Sequence, residues 1–161
     1  MSTKVLNPEM DGINHINIYS KAKTEIGKIL SNFYHFEFQS PDGIFQSIEG
    51  YWHYLNITPD NYEREKLKFL FGYEAKKVGE ELRKAGSKKD SDFETKISDA
   101  IFKKFINYKD IFLKNKSTIF LPFEHYMVFN HGIVDLNIKT KYKWFIDNID
   151  SIRLQIIDKY M

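Results

Sequence analysis

Glu49, His53 and Asn56 recur at i, i+4 and i+7 in the stretch Ser47-Ile48-Glu49-Gly50-Tyr51-Trp52-His53-Tyr54-Leu55-Asn56, placing a carboxylate, an imidazole and an amide along one line. A carboxylate stabilises developing positive charge or takes a proton from water. An imidazole one turn away orients it or protonates a leaving group. Ile48, Tyr51, Trp52 and Leu55 fall at i, i+3, i+4 and i+7, the spacing of a core-facing stripe. The stretch therefore predicts an amphipathic helix whose polar line runs beside its buried face, with Glu49 the leading catalytic candidate. Taken alone, Glu49 is also a first-turn glutamate favoured by the helix dipole. Trp52 within the stripe is a core residue on the same footing, and His53 an ordinary hydrogen-bonded histidine.

The elements that must position this helix are legible on either side of it. Residues 1–12 read as a flexible lead-in, and Ile16, Ile18 and Tyr19 as a short strand. Tyr34, Phe36 and Phe38 alternate with polar residues up to Ser40-Pro41-Asp42-Gly43, after which Ile44-Phe45 returns, so a hairpin is expected to feed the helix. Beyond Thr58-Pro59-Asp60 the pattern turns helical through Leu67, Leu70 and Phe71, and Glu74 to Gly79 reads as a further short helix. Ser91-Asp92-Phe93-Glu94 has capping-box spacing ahead of Phe93, Ile97, Ala100, Ile101 and Phe105, which share one helical face. Residues 118–134, interrupted by Pro122, Asn130 and Gly132, fit a buried irregular or short extended segment. Phe145, Ile149, Ile152 and Ile156 close the chain with an amphipathic helix. The fold class is α+β: a mostly helical single domain, 13–161, with short strands and a hairpin.

Composition narrows the chemistry. The 161 residues are 42% hydrophobic and 29% charged, ordinary for a globular chain with its own core. Aromatic residues reach 16%, with fourteen Phe and ten Tyr, enough to line a pocket that stacks on flat rings such as a nucleobase. A formal charge of +2 does not by itself indicate a nucleic-acid partner. The mixed charges between Lys76 and Asp92 read as a solvated face rather than a phosphate-binding stripe. Without cysteine there is no disulfide framework, thiolate nucleophile or cysteine zinc site. The first ten residues lack a basic region leading into an apolar run, and no apolar segment approaches ~20 residues, so a soluble cytoplasmic protein without membrane partners is expected. GxGxxG, GxxxxGK, HExxH and GxSxG are all absent. The five histidines, at 15, 35, 53, 125 and 131, lack metal-ligand spacing, so no metal is assigned.

Leu30-Ser31-Asn32-Phe33-Tyr34, then Phe38, Asp42-Gly43, Phe45 and Ser47-Ile48-Glu49-Gly50-Tyr51-Trp52, resemble the signature of the NADAR or YbiA-like family, which runs LSNFY, F, DG and S-x-E-H-Y-Y-Q. Downstream, Tyr73 to Gly79 is similar to that family's small glycine-ended helix. Ala100 to Phe105 is similar to its A-L-x-x-K-F helix, and Ile152-Arg153 to its L-M-x-x-R close. The likeness spans about residues 14 to 156 in order. The resemblance implies an enzyme that cleaves N-glycosidic bonds of ribosides without metal or redox cofactor. Its substrates would be riboflavin-pathway riboside phosphates or ADP-ribosyl adducts of guanine. Glu49 falls on the family's key glutamate, Asn32 on the asparagine of SNFY, and Trp52 on a neighbouring aromatic position.

The departures are specific. The family lysine seven residues after the glutamate, associated with a Schiff base to the opened sugar, is Asn56, and an amide cannot form one. The histidine after the glutamate is Gly50, the glutamine is His53, and the tryptophan expected before the main helix falls near Lys89. The family's W-G-D-G segment aligns with Phe129-Asn130-His131-Gly132, and its N-x-L-G box is replaced around Lys143 to Ile146.

Breaking a C1′–N bond builds positive charge on the sugar and negative charge on the base, so an anion near C1′ and a proton donor near the base are required. Glu49 takes the first role, and His53 or His131 the second. Phe33, Tyr34 and Trp52 stack on the base or exclude water, while Asn32, Asn56 and Asn130 are candidate substrate contacts. Asn32 reads equally as an Asx-turn or cap residue. The expected partner is a nucleotide or ADP-ribose-type molecule, free or attached to nucleic acid. Two other readings stand beside this one: a catalytically silent nucleotide-binding module, favoured by Asn56, and a nucleic-acid-binding protein using the Lys76 to Lys89 region.

Overall fold

Turn residues interrupt the apolar runs of this chain, so its strands are only two to four residues long and most of its regular structure is helical. The structure, a computed structural model, describes residues 6–137 and 140–161. It is a mixed α+β fold, with strands β1 (Ile16–Asn17), β2 (Phe38–Ser40), β3 (Gly43–Phe45), β4 (Phe123–Glu124), β5 (Tyr126–Phe129) and β6 (Gly132–Asp135) in two-stranded sheets. The helices are α1 (Glu25–Leu30), α2 (Ile48–Tyr54), α3 (Gly72–Lys84), α4 (Phe93–Asn107), α5 (Lys109–Lys114) and α6 (Thr140–Tyr160), with 3-10 helices at Pro8–Met10 and Tyr62–Phe69. Within the described residues no helix is long and apolar enough to cross a membrane. The chain divides into two compact units. One is Asn32–Asn107, and the other comprises the described residues of Met1–Ser31 and Tyr108–Met161.

The Asn32–Asn107 unit is built around an aromatic cluster. In the hairpin β2–β3, Phe38 pairs with Phe45 and Ser40 with Gly43. The Ser40 hydroxyl closes the turn by donating to the Gly43 carbonyl at 2.8 Å and accepting from the Asp42 N–H at 3.1 Å. Phe45 then packs 4.5 Å from the Tyr51 ring and 5.1 Å from the Tyr54 ring, seating the hairpin on α2. The extended run expected from residue 33 starts only at Phe38. Upstream, the Asn32 and Phe33 carbonyls accept the N–H groups of Glu49 and Gly72, which removes that backbone from any strand ladder. α4 places Phe93, Ile97, Ala100, Ile101 and Phe105 inward as the period requires, but the turn before it is an Asx turn at Asp90, whose carboxylate accepts the Asp92 N–H at 2.8 Å.

Charge ties α4 to the hairpin. The Lys96 ammonium lies 3.1 Å from Asp42 and 3.0 Å from Asp90, and the Tyr51 hydroxyl donates to the same Asp42 carboxylate at 2.8 Å. Burial opposes charge on both Asp90 and Lys96. Hydrogen bonds within the cluster overcome it, lowering the Asp90 pKa and raising that of Lys96. Burial, reinforced by the bond to Asp42, pushes the Tyr51 phenol well above its ordinary range.

In the other unit β1 and β4 pair in parallel, Ile16 with Phe123 and Asn17 with Glu124. Of the lead-in 1–12, residues 1–5 lie outside the described residues. Pro8–Met10 forms a 3-10 turn, and buried Asp11 accepts from the N–H groups of Asn17 and Lys23, both at 2.9 Å. The segment 118–134 is a turn followed by β4, β5 and most of β6, and contrary to expectation it is buried only in part, since Phe120, Val128, Phe129 and Val134 are exposed on a two-stranded ribbon that covers no core of its own. α6 buries Phe145, Ile149, Ile152 and Ile156. The Arg153 guanidinium lies 4.1 Å over the Phe123 ring and donates to the Leu121 carbonyl and to Asp150.

One member of the α4 inward face is a lysine. Lys104 is 0% exposed, and burial pulls its pKa down to about 7. The unfolded chain binds that proton up to about pH 10.4, so the folded state is penalised below that value, most fully below pH 7. Stability is therefore expected to rise as pH goes from about 7 toward 10, and Lys104→Met to remove that slope while stabilising the neutral protein by about 1–4 kcal/mol. Thermal denaturation across this range checks both expectations, and a mutant that melts lower than wild type at neutral pH contradicts them.

Candidate active site

α2 is only seven residues long, too short to persist alone, so its surroundings must hold it. Ser47 caps it. The hydroxyl accepts the Gly50 N–H at 3.0 Å and donates to the Leu70 carbonyl at 2.9 Å, joining the helix start to the end of the 3-10 helix Tyr62–Phe69. The Glu49 N–H, one of the free donors of the first turn, is taken by the Asn32 carbonyl at 2.9 Å. Gly50 faces backbone: a Cβ there would sit 2.6 Å from the Leu67 carbonyl oxygen. No larger residue fits that position without moving the main chain.

The i, i+4 pair foreseen in the sequence forms. His53 Nε2 lies 3.1 Å from Glu49 Oε1, with the two side chains 8% and 14% exposed. A carboxylate accepts, so Nε2 is the ring nitrogen that donates to Glu49 and Nδ1 is the second ring nitrogen. That nitrogen is buried without a hydrogen-bond partner, and so is Asn32 Oδ1, on the residue whose carbonyl holds the Glu49 N–H. Unmet buried polar atoms are uncommon in folded chains, and two of them belong to the residues that orient this one glutamate.

α3 closes the other side of the imidazole. A Cβ on Gly79 would fall 2.2 Å from His53 Cγ and 2.6 Å from His53 Cβ, so the two helices meet there through a glycine. The sequence reading ended a short helix at Gly79. The observed helix runs on to Lys84, because this glycine serves close packing rather than termination. Nothing local in the sequence distinguishes these two uses of glycine.

The remaining candidates separate. Asn56 is buried, with its amide donating to the Trp52 carbonyl at 2.8 Å, so it closes the end of α2. Trp52 is buried with its ring edge-on to Phe93 at 4.9 Å and 89°, as its place in the apolar stripe requires. Phe33 and Tyr34 are half-buried beside Asn32, and the Phe33 carbonyl accepts the Gly72 N–H at 3.0 Å. Next to them is an aromatic pair that sequence reasoning passed over: His35 stacks on Phe71 at 4.3 Å and 7°, and its Nε2 meets Gln46 Oε1 at 2.7 Å. Asn130 and His131 belong to the other unit, where they form the exposed two-residue turn between β5 and β6, with His131 stacked 5.7 Å from Phe129. Among the described residues no group of three or more His, Asp or Glu side chains could hold a metal ion.

No family model, no curated protein and no solved structure matches this chain.

Gly79→Ala tests the contact behind His53. In an exposed helix the change would stabilise by about 1 kcal/mol, but here the added methyl must displace the imidazole or α3, an overpacking cost of about 1–3 kcal/mol. Urea denaturation is expected to show net destabilisation, and a gain in stability would mean the imidazole yields freely.

Proposed function

We propose that the protein is an N-glycosidase that hydrolyses the C1′–N bond of a riboside, either an ADP-ribosyl adduct of guanine or a riboside phosphate of the riboflavin pathway. Two supports bear on this reading. One is the ordered resemblance from Leu30 to Trp52 to the NADAR signature, with Glu49 on its key glutamate. The other, which carries it, is the largely buried Glu49–His53 pair, placed by the Asn32 carbonyl and the Gly79 contact.

Glu49 stabilises the oxocarbenium-like sugar and takes a proton from the attacking water. The water oxygen bonds to C1′ as the C1′–N bond breaks, the bonding pair leaves with the base, and the base takes up a proton from solvent while Glu49 holds the one from water. His53 Nε2 holds the carboxylate in one orientation. Asn56 supplies no amine, and its amide is committed to the Trp52 carbonyl, so the route runs through water rather than an imine. A positioned acid or base contributes roughly 10²–10⁴-fold, enough for turnover without a covalent step.

Incubation with ADP-ribosylated guanine DNA and with pyrimidine riboside phosphates tests this. Wild type is expected to release the base, and Glu49→Gln to lose about 10²–10⁴ in kcat with its melting temperature little changed. Equal product from both proteins removes Glu49 from the mechanism. Saturable ADP-ribose binding by wild type without turnover would instead support a silent binding module, the reading that Asn56 favours.

A further inference from the structure

β5 and β6 form a hairpin whose two outer edges differ. The register pairs Tyr126 with Asp135, Met127 with Val134, Val128 with Ile133 and Phe129 with Gly132. The Leu136 N–H reaches the His125 carbonyl at 2.9 Å, so alternation directs the backbone groups of Met127, Phe129, Gly132 and Val134 inward. The N–H and C=O of Tyr126, Val128, Ile133 and Asp135 therefore point outward. On β5 the edge is closed at Tyr126 by the Asn17 side chain, which donates to its carbonyl and accepts its N–H, both at 3.0 Å. On β6 the outward backbone groups of Ile133 and Asp135 have no hydrogen bond among the described residues, and no strand but β5 lies beside it.

The β6 edge carries little of the usual protection, a single charge at Asp135. Tyr126 to Val134 contains no Lys, Arg, Asp, Glu or Pro, the residues that keep strand edges apart. Phe129 and Val134 lie on one face of the hairpin and are 44% and 42% exposed, and Val128 on the other face is 40% exposed. A two-stranded ribbon of this length is marginal by itself, and a third and fourth strand would complete it.

We propose that the β6 edge pairs with the β6 edge of a second copy of this chain, antiparallel about a two-fold axis through Val134. In that register the outward groups of Ile133 meet those of Asp135 of the partner and the reverse, forming four backbone hydrogen bonds. Val134 faces Val134 across the axis. This register forms its hydrogen bonds from strand residues alone, whereas pairing about Ile133 would need the turn residue His131, and pairing about Asp135 itself would oppose two carboxylates. The edge is thus self-complementary, as an isologous interface requires. Asn17 occupies the β5 edge at Tyr126 and leaves only Val128 pointing outward on that side, so the β5 edge offers no second run of free backbone groups on which to add a strand.

The chain has no cysteine, so a single introduced thiol reports the contact without background. Residues facing each other at a non-hydrogen-bonded antiparallel site have Cα atoms about 4.5 Å apart, within disulfide range. Val134→Cys is expected to form a disulfide-linked dimer under mild oxidation, at least tenfold faster than Leu154→Cys, an exposed position on α6. Sedimentation of the wild type up to about 1 mM, suited to an interface at the small end of the range, should show reversible association toward twice 19.2 kDa. Val134→Lys, which opposes two ammonium groups on the axis, should remain monomeric with an unchanged circular dichroism spectrum. A wild type monomeric at every concentration overturns the proposal and leaves the edge to a foreign strand. Equal crosslinking at positions 134 and 154, or a Val134→Lys protein that still dimerises, overturns it as well.

Discussion

How closely the main chain approaches α2 governs the whole Asn32–Asn107 unit. A seven-residue helix is not stable by its own hydrogen bonds, and here its start is gripped by the Ser47 side chain, the Asn32 carbonyl and the Leu67 and Leu70 carbonyls. Gly50 admits the Leu67 carbonyl, and Gly79 admits the His53 ring. Two absent side chains thus set two helix-scale contacts, and the direction of the Glu49 carboxylate follows from them. The aromatic cluster of Phe45, Tyr51 and Tyr54 anchors the opposite side of the helix, leaving its polar line little freedom to turn.

The same unit manages charge in three ways. Lys96 satisfies two carboxylates at once between the hairpin turn and the start of α4, where burial is the largest single cause and opposes charge, but the hydrogen bonds and charges of the cluster together decide the sign of each shift. Glu49 and His53 share one bond in a drier place, where each depends on the other for its charge or tautomer. Lys104 sits deepest, and desolvation there outweighs everything else acting on it. Only the middle arrangement leaves a buried ring nitrogen without a partner, together with the amide oxygen of Asn32, the residue whose carbonyl holds the Glu49 N–H.

Periodicity read well wherever one face of an element is buried. The stripe from Ile48 to Leu55, the inward face of α4 and the steps of four, three and four in α6 all emerged as anticipated, because 3.6-residue spacing reports burial directly. The Pro41-Asp42 turn was legible from residue types with fixed dihedral preferences. The extent of β2 and of α3 was not. In both, a distant partner decides: the Gly72 N–H claims the Phe33 carbonyl, and the His53 ring claims the space at Gly79. Within the candidate site the Glu49–His53 pair was readable from i, i+4 spacing. The Asn56 amide reaches the Trp52 carbonyl at i−4, a local bond that competed in the sequence with a role in substrate contact, while the His35–Phe71 stack joins residues that no spacing rule relates.

The unit formed by the two ends of the chain has a consequence in time. Asn17 and Tyr126, whose amide and backbone bind each other in both directions, are 109 residues apart. During synthesis the first strand emerges early and has no partner until β4 and β5 leave the ribosome, while Asn32–Asn107 can assemble from its own contacts in the interval. Loop-closure entropy grows with the logarithm of length, so this contact costs more to close than any within Asn32–Asn107. The joining of β1 to β4 is therefore the late, slow event in the maturation of this protein.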